Sequence, residues 1–164
     1  MLRHGEAGKR MTADSRDKER GLTAAGREEL EKVAAALAEM DFDFDVIAAS
    51  PLKRAKDSAS IVAKALGSAK VEEWQELSPE GSREALYRRL AKVKPGSSVL
   101  CVGHEPYLTS LIGEATTRGA AGSATFRIAL KKAGMAKLVV NTFSPRIVGE
   151  LRWLLTPRQI RKMA

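Results

Sequence analysis

Two histidines stand one hundred positions apart in a chain of 164 residues, His4 within LRHGEA (2–7) and His104 within VGHEP (102–106). Each lies beside a glycine and near a glutamate, Glu6 and Glu105. Arg3 precedes the first, and Arg54 sits in SPLKRA (50–55). Guanidinium groups offer planar forks of N–H donors that match phosphoryl oxygens. A neutral imidazole can attack phosphorus and carry it as a covalent intermediate. A second imidazole, if protonated, can stabilise the charge that develops on the equatorial oxygens. Helix starts near Pro51 and Pro106 would add backbone N–H groups and a dipole that favours an anion. The same histidines with Glu6 or Glu105 can also be read as a metal site, but arginines crowding that site would repel a cation. A lone histidine is usually structural, and Arg54 alone would read as the outer face of a helix. The set points to an anion site of Arg3, His4, Glu6, Arg54, His104 and Glu105, with no metal and no cofactor.

These side chains meet only if distant segments converge. LTAAGREELEKVAAALAEM (22–40) offers Thr23 as an N-cap and Leu30, Val33, Ala34 and Leu37 at helical spacing. DVIAAS (45–50) reads as a buried strand. A helix is predicted from there, with Ser50 as its cap, Pro51 in its first position and Gly67 closing it. Its core stripe is Leu52, Ala55, Ala59, Val62 and Leu66. KVEEW (70–74) reads as a short strand, SREALYRRLAKV (82–93) as a helix, SVLCVGH (98–104) as a strand buried on both faces, and EPYLTSLIGEA (105–115) as a helix. TFRIAL (125–130), MAKLVVNT (135–142) and GELRWLL (149–155) read as strands, the first two joined by a turn at KKAG (131–134). The basic tail TPRQIRKMA (156–164) reads as a loose end.

Alternating strands and helices predict one domain over 1–164, a three-layer α/β/α sandwich around a mainly parallel sheet. Ligands gather beyond the carboxyl ends of such strands. RHGEA, SPLKRA and GHEP each follow a predicted strand end, so all three point at one crevice. Only Met1 and Leu2 precede Arg3, against a usual strand of about 5–6 residues. The first strand is either stunted or missing residues, and the expectation is that the chain as given is incomplete.

Bulk properties narrow the partners. A hydrophobic fraction of 44% and a charged fraction of 29% are those of a globular domain, and 5% aromatics do not suggest a stacking surface for nucleic acid. The net charge of +8 favours anionic partners or is simply a solvated surface. No apolar run approaches the roughly 18 residues of a membrane span, and no signal-peptide pattern precedes the first motif. Cys101 is the only cysteine, excludes an internal disulfide, and reads as a small buried residue in SVLCV rather than a nucleophile. The expected location is the cytoplasm, with neither a membrane nor a nucleic acid as partner.

LRHGEA resembles the RHG signature of the histidine phosphatase superfamily, which includes the phosphoglycerate mutases. ERGLTAAGREE (19–29), IAASPLKRAKDSASIVA (47–63) and VLCVGHEPYLTSLI (99–112) resemble its following segments in order. GELRWLLTPRQI (149–160) is similar to the end of the short SixA-type phosphohistidine phosphatases. Ala49 departs from the serine usual at that place, and Ser58 from the usual threonine. The resemblance implies a phosphoglycerate mutase-like fold, His4 as the nucleophile that becomes phosphorylated, and Arg3, Arg54 and His104 as its phosphoryl-binding partners. Arg20 and Glu6 are expected on the substrate side. Longer branches carry an acidic proton donor in an insertion after the second motif. Here VEEWQELSPEGS (71–82) is too short for a capping subdomain, and Glu76 is the candidate donor.

The implied activity is a SixA-type phosphohistidine phosphatase. Its partner would be a phosphohistidine-bearing protein, a histidine phosphotransfer domain or a phosphocarrier. A phosphoramidate loses an imidazole that can already carry a proton, so it has little need of an enzyme acid. The alternatives are metal-independent phosphatase action on a small phosphorylated metabolite, or a non-catalytic module that binds phosphoanions or nucleic acid.

Overall fold

The computed structural model describes residues 1–9, 17–67, 70–117, 128–144 and 146–164. Among the described residues six strands form one sheet in the order β3-β2-β4-β1-β5-β6. They are β1 (Leu2–Arg3), β2 (Val46–Ala49), β3 (Val71–Glu73), β4 (Val99–Gly103), β5 (Met135–Thr142) and β6 (Val148–Leu155). The first four are parallel to one another, and β5 and β6 run antiparallel at one side. Among the described residues the helices are α1 (Ala24–Glu39), α2 (Lys53–Ala65), α3 (Arg83–Leu90), α4 (Tyr107–Thr116) and α5 (Pro157–Met163), with a 3₁₀ turn at Gln75–Leu77.

Side chains alternate faces along a strand, and here the alternation sorts the core into two clusters. Leu2, Ile47, Ala49, Leu100, Val102 and Met135 join Leu30, Val33 and Leu37 of α1, Ala55, Ala59 and Val62 of α2, and Ile160 of α5. Ala48, Cys101 and Ala136 face the other way, with Leu86 of α3 and Tyr107, Leu108, Leu111 and Ile112 of α4. The sheet is therefore the middle of three layers, as the strand–helix alternation predicts.

Register brings the strand ends together. Arg3 pairs with Gly103, and Ala49 with Val102. The His4 amide then donates to the Gly103 carbonyl at 3.1 Å and the Ser50 amide to the Val102 carbonyl at 3.0 Å. His4, Ser50 and His104 follow three adjacent parallel strands and lie at one end of the sheet. β1 is only two residues long, yet it holds its place between β4 and β5, with the Arg3 amide bonded to the Gly134 carbonyl at 3.1 Å.

Three expectations need correction. The second helix begins at Lys53 rather than beside Ser50, and its cap residue is Leu52. The Ser50 hydroxyl still accepts from the Leu52 amide at 3.3 Å, but it also binds the His104 ring, so the chain turns once more before the helix starts. The strand expected at 125–130 is not formed by its described part, 128–130, and residues 125–127 lie outside the described set. The Leu130 carbonyl accepts from Arg3 Nη1 at 2.8 Å, which turns it toward the crevice instead of a ladder. The tail is not loose. Thr156 and Gln159 form a capping box, Pro157 stands at the helix start, and Ile160 is 1% exposed.

Ile160→Ala is expected to lower stability by about 2–4 kcal/mol in urea unfolding. Lys162→Ala, on the same helix but exposed, should stay within about 0.5 kcal/mol. Equal effects of the two substitutions would show that the tail helix is not docked.

Candidate active site

His4 follows β1 and is 8% exposed. Its Nδ1 lies 2.7 Å from the Gly5 carbonyl. A carbonyl only accepts, so Nδ1 carries the proton and Nε2 keeps a free lone pair. The turn that curls Gly5 back is fixed from outside. The Gly5 amide donates to Ser58 Oγ at 3.1 Å, and Ser58 donates to the Arg54 carbonyl at 2.6 Å. A Cβ on Gly5 would lie 2.5 Å from Leu30 Cδ1 and 3.0 Å from the Gly26 carbonyl oxygen, so α1 packs directly on this turn. Serine at 58 thus supplies the hydroxyl that a threonine there would.

His104 follows β4 and is 2% exposed. Its Nε2 is 2.8 Å from Ser50 Oγ. The two imidazole centroids are 5.0 Å apart, with ring planes inclined at 55°. Burial pushes the His4 pKa down to about 4, the Gly5 bond partly opposes this, and Arg54, Arg3 and Arg20 lower it further. Burial likewise brings His104 to about 3, with His4, Arg54 and Arg20 adding to the fall and Asp17 opposing it. At neutral pH both rings are uncharged. The protonated second imidazole contemplated from the sequence is therefore not the resting state. A phosphoryl dianion in the crevice would favour it by raising the His104 pKa.

The arginines converge from three elements. Arg3 Nη1 is held by the Leu130 carbonyl, and its Nε is buried without a partner among the described residues. Arg54, in the first turn of α2, donates from Nη1 to the Asp17 carbonyl at 3.0 Å and to Asp17 Oδ2 at 3.3 Å. Arg20 donates from Nε to Asp17 Oδ1 at 2.9 Å and from Nη1 to the Gly8 carbonyl at 2.7 Å. All three act on the His4 ring. Asp17 was not expected at the site. Its one sequence signal is the spacing of three to Arg20 in DKER (17–20), which also describes any surface ion pair. The site roles of Ser50 and Ser58 were hidden by their value as a cap and as a helix residue.

The glutamates divide. Glu105 Oε2 accepts from the Thr109 hydroxyl at 2.7 Å, and Oε1 is buried without a partner among the described residues. Burial raises the carboxyl pKa, while the Thr109 bonds and the charge of Arg3 oppose the rise. Glu6 turns outward to Lys132 at 3.2 Å, with half its side chain exposed. Glu76 is taken by Arg89 at 3.2 Å. Cys101 is 5% exposed, and burial raises its thiol pKa to about 11. Among the described residues no group of three or more His, Cys, Asp or Glu side chains is placed to hold a metal, and no helix is long and apolar enough to cross a membrane. A cavity of about 910 Å³ opens beside the β5–β6 turn, lined by Arg83, Tyr87, Glu114, Phe143 and Arg146, and contains none of the converging residues. It has neither imidazole, and it lies at the far end of β5 from Arg3, so the chemistry belongs to the histidine crevice.

Comparison with known proteins shows the family and the fold. The profile of the histidine phosphatase superfamily (branch 1) matches residues 1–79. An uncharacterized protein of Picosynechococcus sp. is 35% identical over 141 residues, 84% of this chain and 82% of that protein. The chain belongs to the histidine phosphatase superfamily. The superfamily is one of phosphatases, and the expected phosphoglycerate mutase-like fold is present. The protein histidine phosphatase SixA complexed with tungstate superposes with a TM-score of 0.78 at 24% identity, covering 96% of this chain and 95% of that one. A candidate phosphohistidine phosphatase SixA from Agrobacterium tumefaciens gives 0.68 at 27% identity, over 95% of both chains. A mycobacterial glucosyl-3-phosphoglycerate phosphatase in complex with VO3 gives 0.67 at 19% identity, over 95% of this chain and 98% of that one.

The two buried imidazoles make stability depend on pH. Their folded pKa values, about 4 and about 3, lie below the ordinary histidine value of 6.5. The unfolded chain therefore takes up protons first as pH falls. Their contribution is full above about pH 6.5 and declines as pH falls toward about 3. A series of urea midpoints should fall more steeply over this range for the wild type than for a His4→Asn/His104→Gln double variant. Parallel curves would contradict the desolvated pair. Separately, Ser50→Ala should reduce phosphatase kcat by about 10–100-fold while the fold survives, because the His104 ring loses its anchor. An unchanged kcat would remove Ser50 from the site.

Proposed function

We propose that this phosphatase acts on phosphohistidine in proteins, as a SixA-type enzyme. Residues 1–164 are taken as one histidine phosphatase domain, supported by a single sheet with a core cluster on each face. The observation that carries the reading is the pair of rings 5.0 Å apart, one with its free nitrogen defined by the Gly5 carbonyl. Arg3, Arg20 and Arg54 surround that ring with positive charge.

In the proposed cycle, the guanidinium groups hold the equatorial oxygens of the phosphoryl group. The Nε2 lone pair of His4 attacks phosphorus, and the phosphorus–nitrogen bond of the substrate breaks. The leaving imidazole takes the bonding pair and departs neutral, its other nitrogen already protonated. Water then attacks the phosphorus on His4. The ring recovers its electron pair, and both protons of the water leave on dihydrogen phosphate. The proton stays on Nδ1, donated to the Gly5 carbonyl throughout, so no enzyme acid is consumed. That suits the candidate donor from the sequence, Glu76, which is bonded to Arg89; Glu6, expected on the substrate side, is bonded to Lys132. The proposed location is the cytoplasm, supported by a single cysteine that is free and buried.

A second reading, hydrolysis of a phosphate ester of a small metabolite, is favoured by one group. Glu105 follows His104 directly, and burial favours its protonated form. A phosphate ester has a poor leaving group and benefits from such a donor. The glucosyl-3-phosphoglycerate phosphatase among the structural neighbours acts on an ester.

The test is incubation with a histidine-phosphorylated phosphotransfer domain, followed by rapid quenching and mass spectrometry. Phosphate should appear transiently on His4, and His4→Ala should lower turnover at least ~10³-fold. Full activity in His4→Ala would overturn the mechanism. Faster turnover of phosphate esters than of the phosphoprotein, abolished by Glu105→Gln, would favour the second reading.

A further inference from the structure

The crevice already contains a negative charge. Asp17 Oδ1 accepts from Arg20 at 2.9 Å and Oδ2 from Arg54 at 3.3 Å. Its backbone carbonyl takes Arg54 Nη1 as well, at 3.0 Å. The Asp17 side chain is 17% exposed and that of Arg54 6%, so the contact is well shielded from water. The charge is felt across the crevice at His104. Arg20 spends its Nε on this carboxylate and its Nη1 on the Gly8 carbonyl. Two guanidinium groups from separate segments thus share one carboxylate at the phosphoryl site.

We propose that Asp17 is a positioning and charge-selecting residue, which aligns Arg20 and Arg54 and excludes substrates bearing a second anionic group beside the phosphoryl group. The inference deepens the phosphohistidine reading and rests on it. Among the described residues, three guanidinium charges around His4 less one carboxylate leave two positive charges. A phosphoryl dianion neutralises these, and the rings contribute none while unprotonated. A further carboxylate on the substrate is then repelled by Asp17. A like charge a few ångströms away in a partly buried site weakens binding by about tenfold. A phosphohistidine side chain has no such group, since its leaving imidazole is not anionic. A phosphorylated hydroxy acid has one.

Asp17→Asn keeps a carbonyl oxygen for the guanidinium donors and removes the charge. Calorimetric titration of wild type and variant with tungstate, a single oxyanion, and with 3-phosphoglycerate, a phosphate with a carboxylate, reads the selection without turnover. The variant should improve 3-phosphoglycerate affinity about tenfold more than tungstate affinity. Asp17→Glu, which retains the charge, should show the wild-type ratio. An unchanged ratio overturns the proposal, as does weaker binding of both ligands, the result if Asp17 merely braces the arginines. A variant that still fails to bind 3-phosphoglycerate overturns it too. The phosphatase reading fails separately, when no phosphate appears on His4 of the wild type.

Discussion

The bond from His4 Nδ1 to the Gly5 carbonyl, 2.7 Å long, sets which nitrogen of that ring can act as a nucleophile. Much of the surrounding structure serves to hold that carbonyl in place. Gly5 can turn back because it has no Cβ to strike Leu30 and the Gly26 carbonyl. Ser58 ties the Gly5 amide to α2, so the turn and Arg54 move as one piece. The Glu6 carbonyl receives the amide of Thr23, the N-cap of α1, which anchors the other side of the turn. A motif of a few residues is thereby made rigid by two helices distant in sequence.

The second constraint is electrostatic. Burial disfavours the protonated form of both imidazoles, and the guanidinium groups beside them reinforce the effect. Neutral rings are the outcome, which is what nucleophilic attack by His4 requires. The positive field remains available for an anion, moderated by Asp17. The cost of gathering these groups is borne by the apolar layers. One cluster links α1, α2 and α5 to the sheet, and the other links α3 and α4 to its reverse face. Parallel register then delivers His4, Ser50 and His104 to the same end.

Much of this was legible because it depends on local pattern. The β-branched and apolar runs at Val46–Ala49 and Val99–Gly103, with helical periodicity between them, required a parallel sheet, and the carboxyl-end rule brought Arg3, His4, Arg54 and His104 together. What was illegible depends on tertiary partners. Ser50 has the signature of a cap, and nothing nearby in sequence shows that its hydroxyl meets an imidazole 54 positions away. Residues 128–130 carry a strand-like composition, but the Leu130 carbonyl is drawn to Arg3. Ile160 is one apolar residue in a basic tail, and its burial follows from α1 lying alongside. Glu6 and Glu76 stand near the motifs in sequence, yet Lys132 and Arg89 claim their carboxylates.

The chemistry turns on the protonation of one ring. Long-range proton–nitrogen NMR correlation on ¹⁵N-histidine-labelled protein at neutral pH distinguishes the two tautomers and the imidazolium directly. The structure predicts that His4 is neutral, with its proton on Nδ1 and Nε2 bare. An imidazolium signal for His4, or a neutral ring with its proton on Nε2, would contradict it.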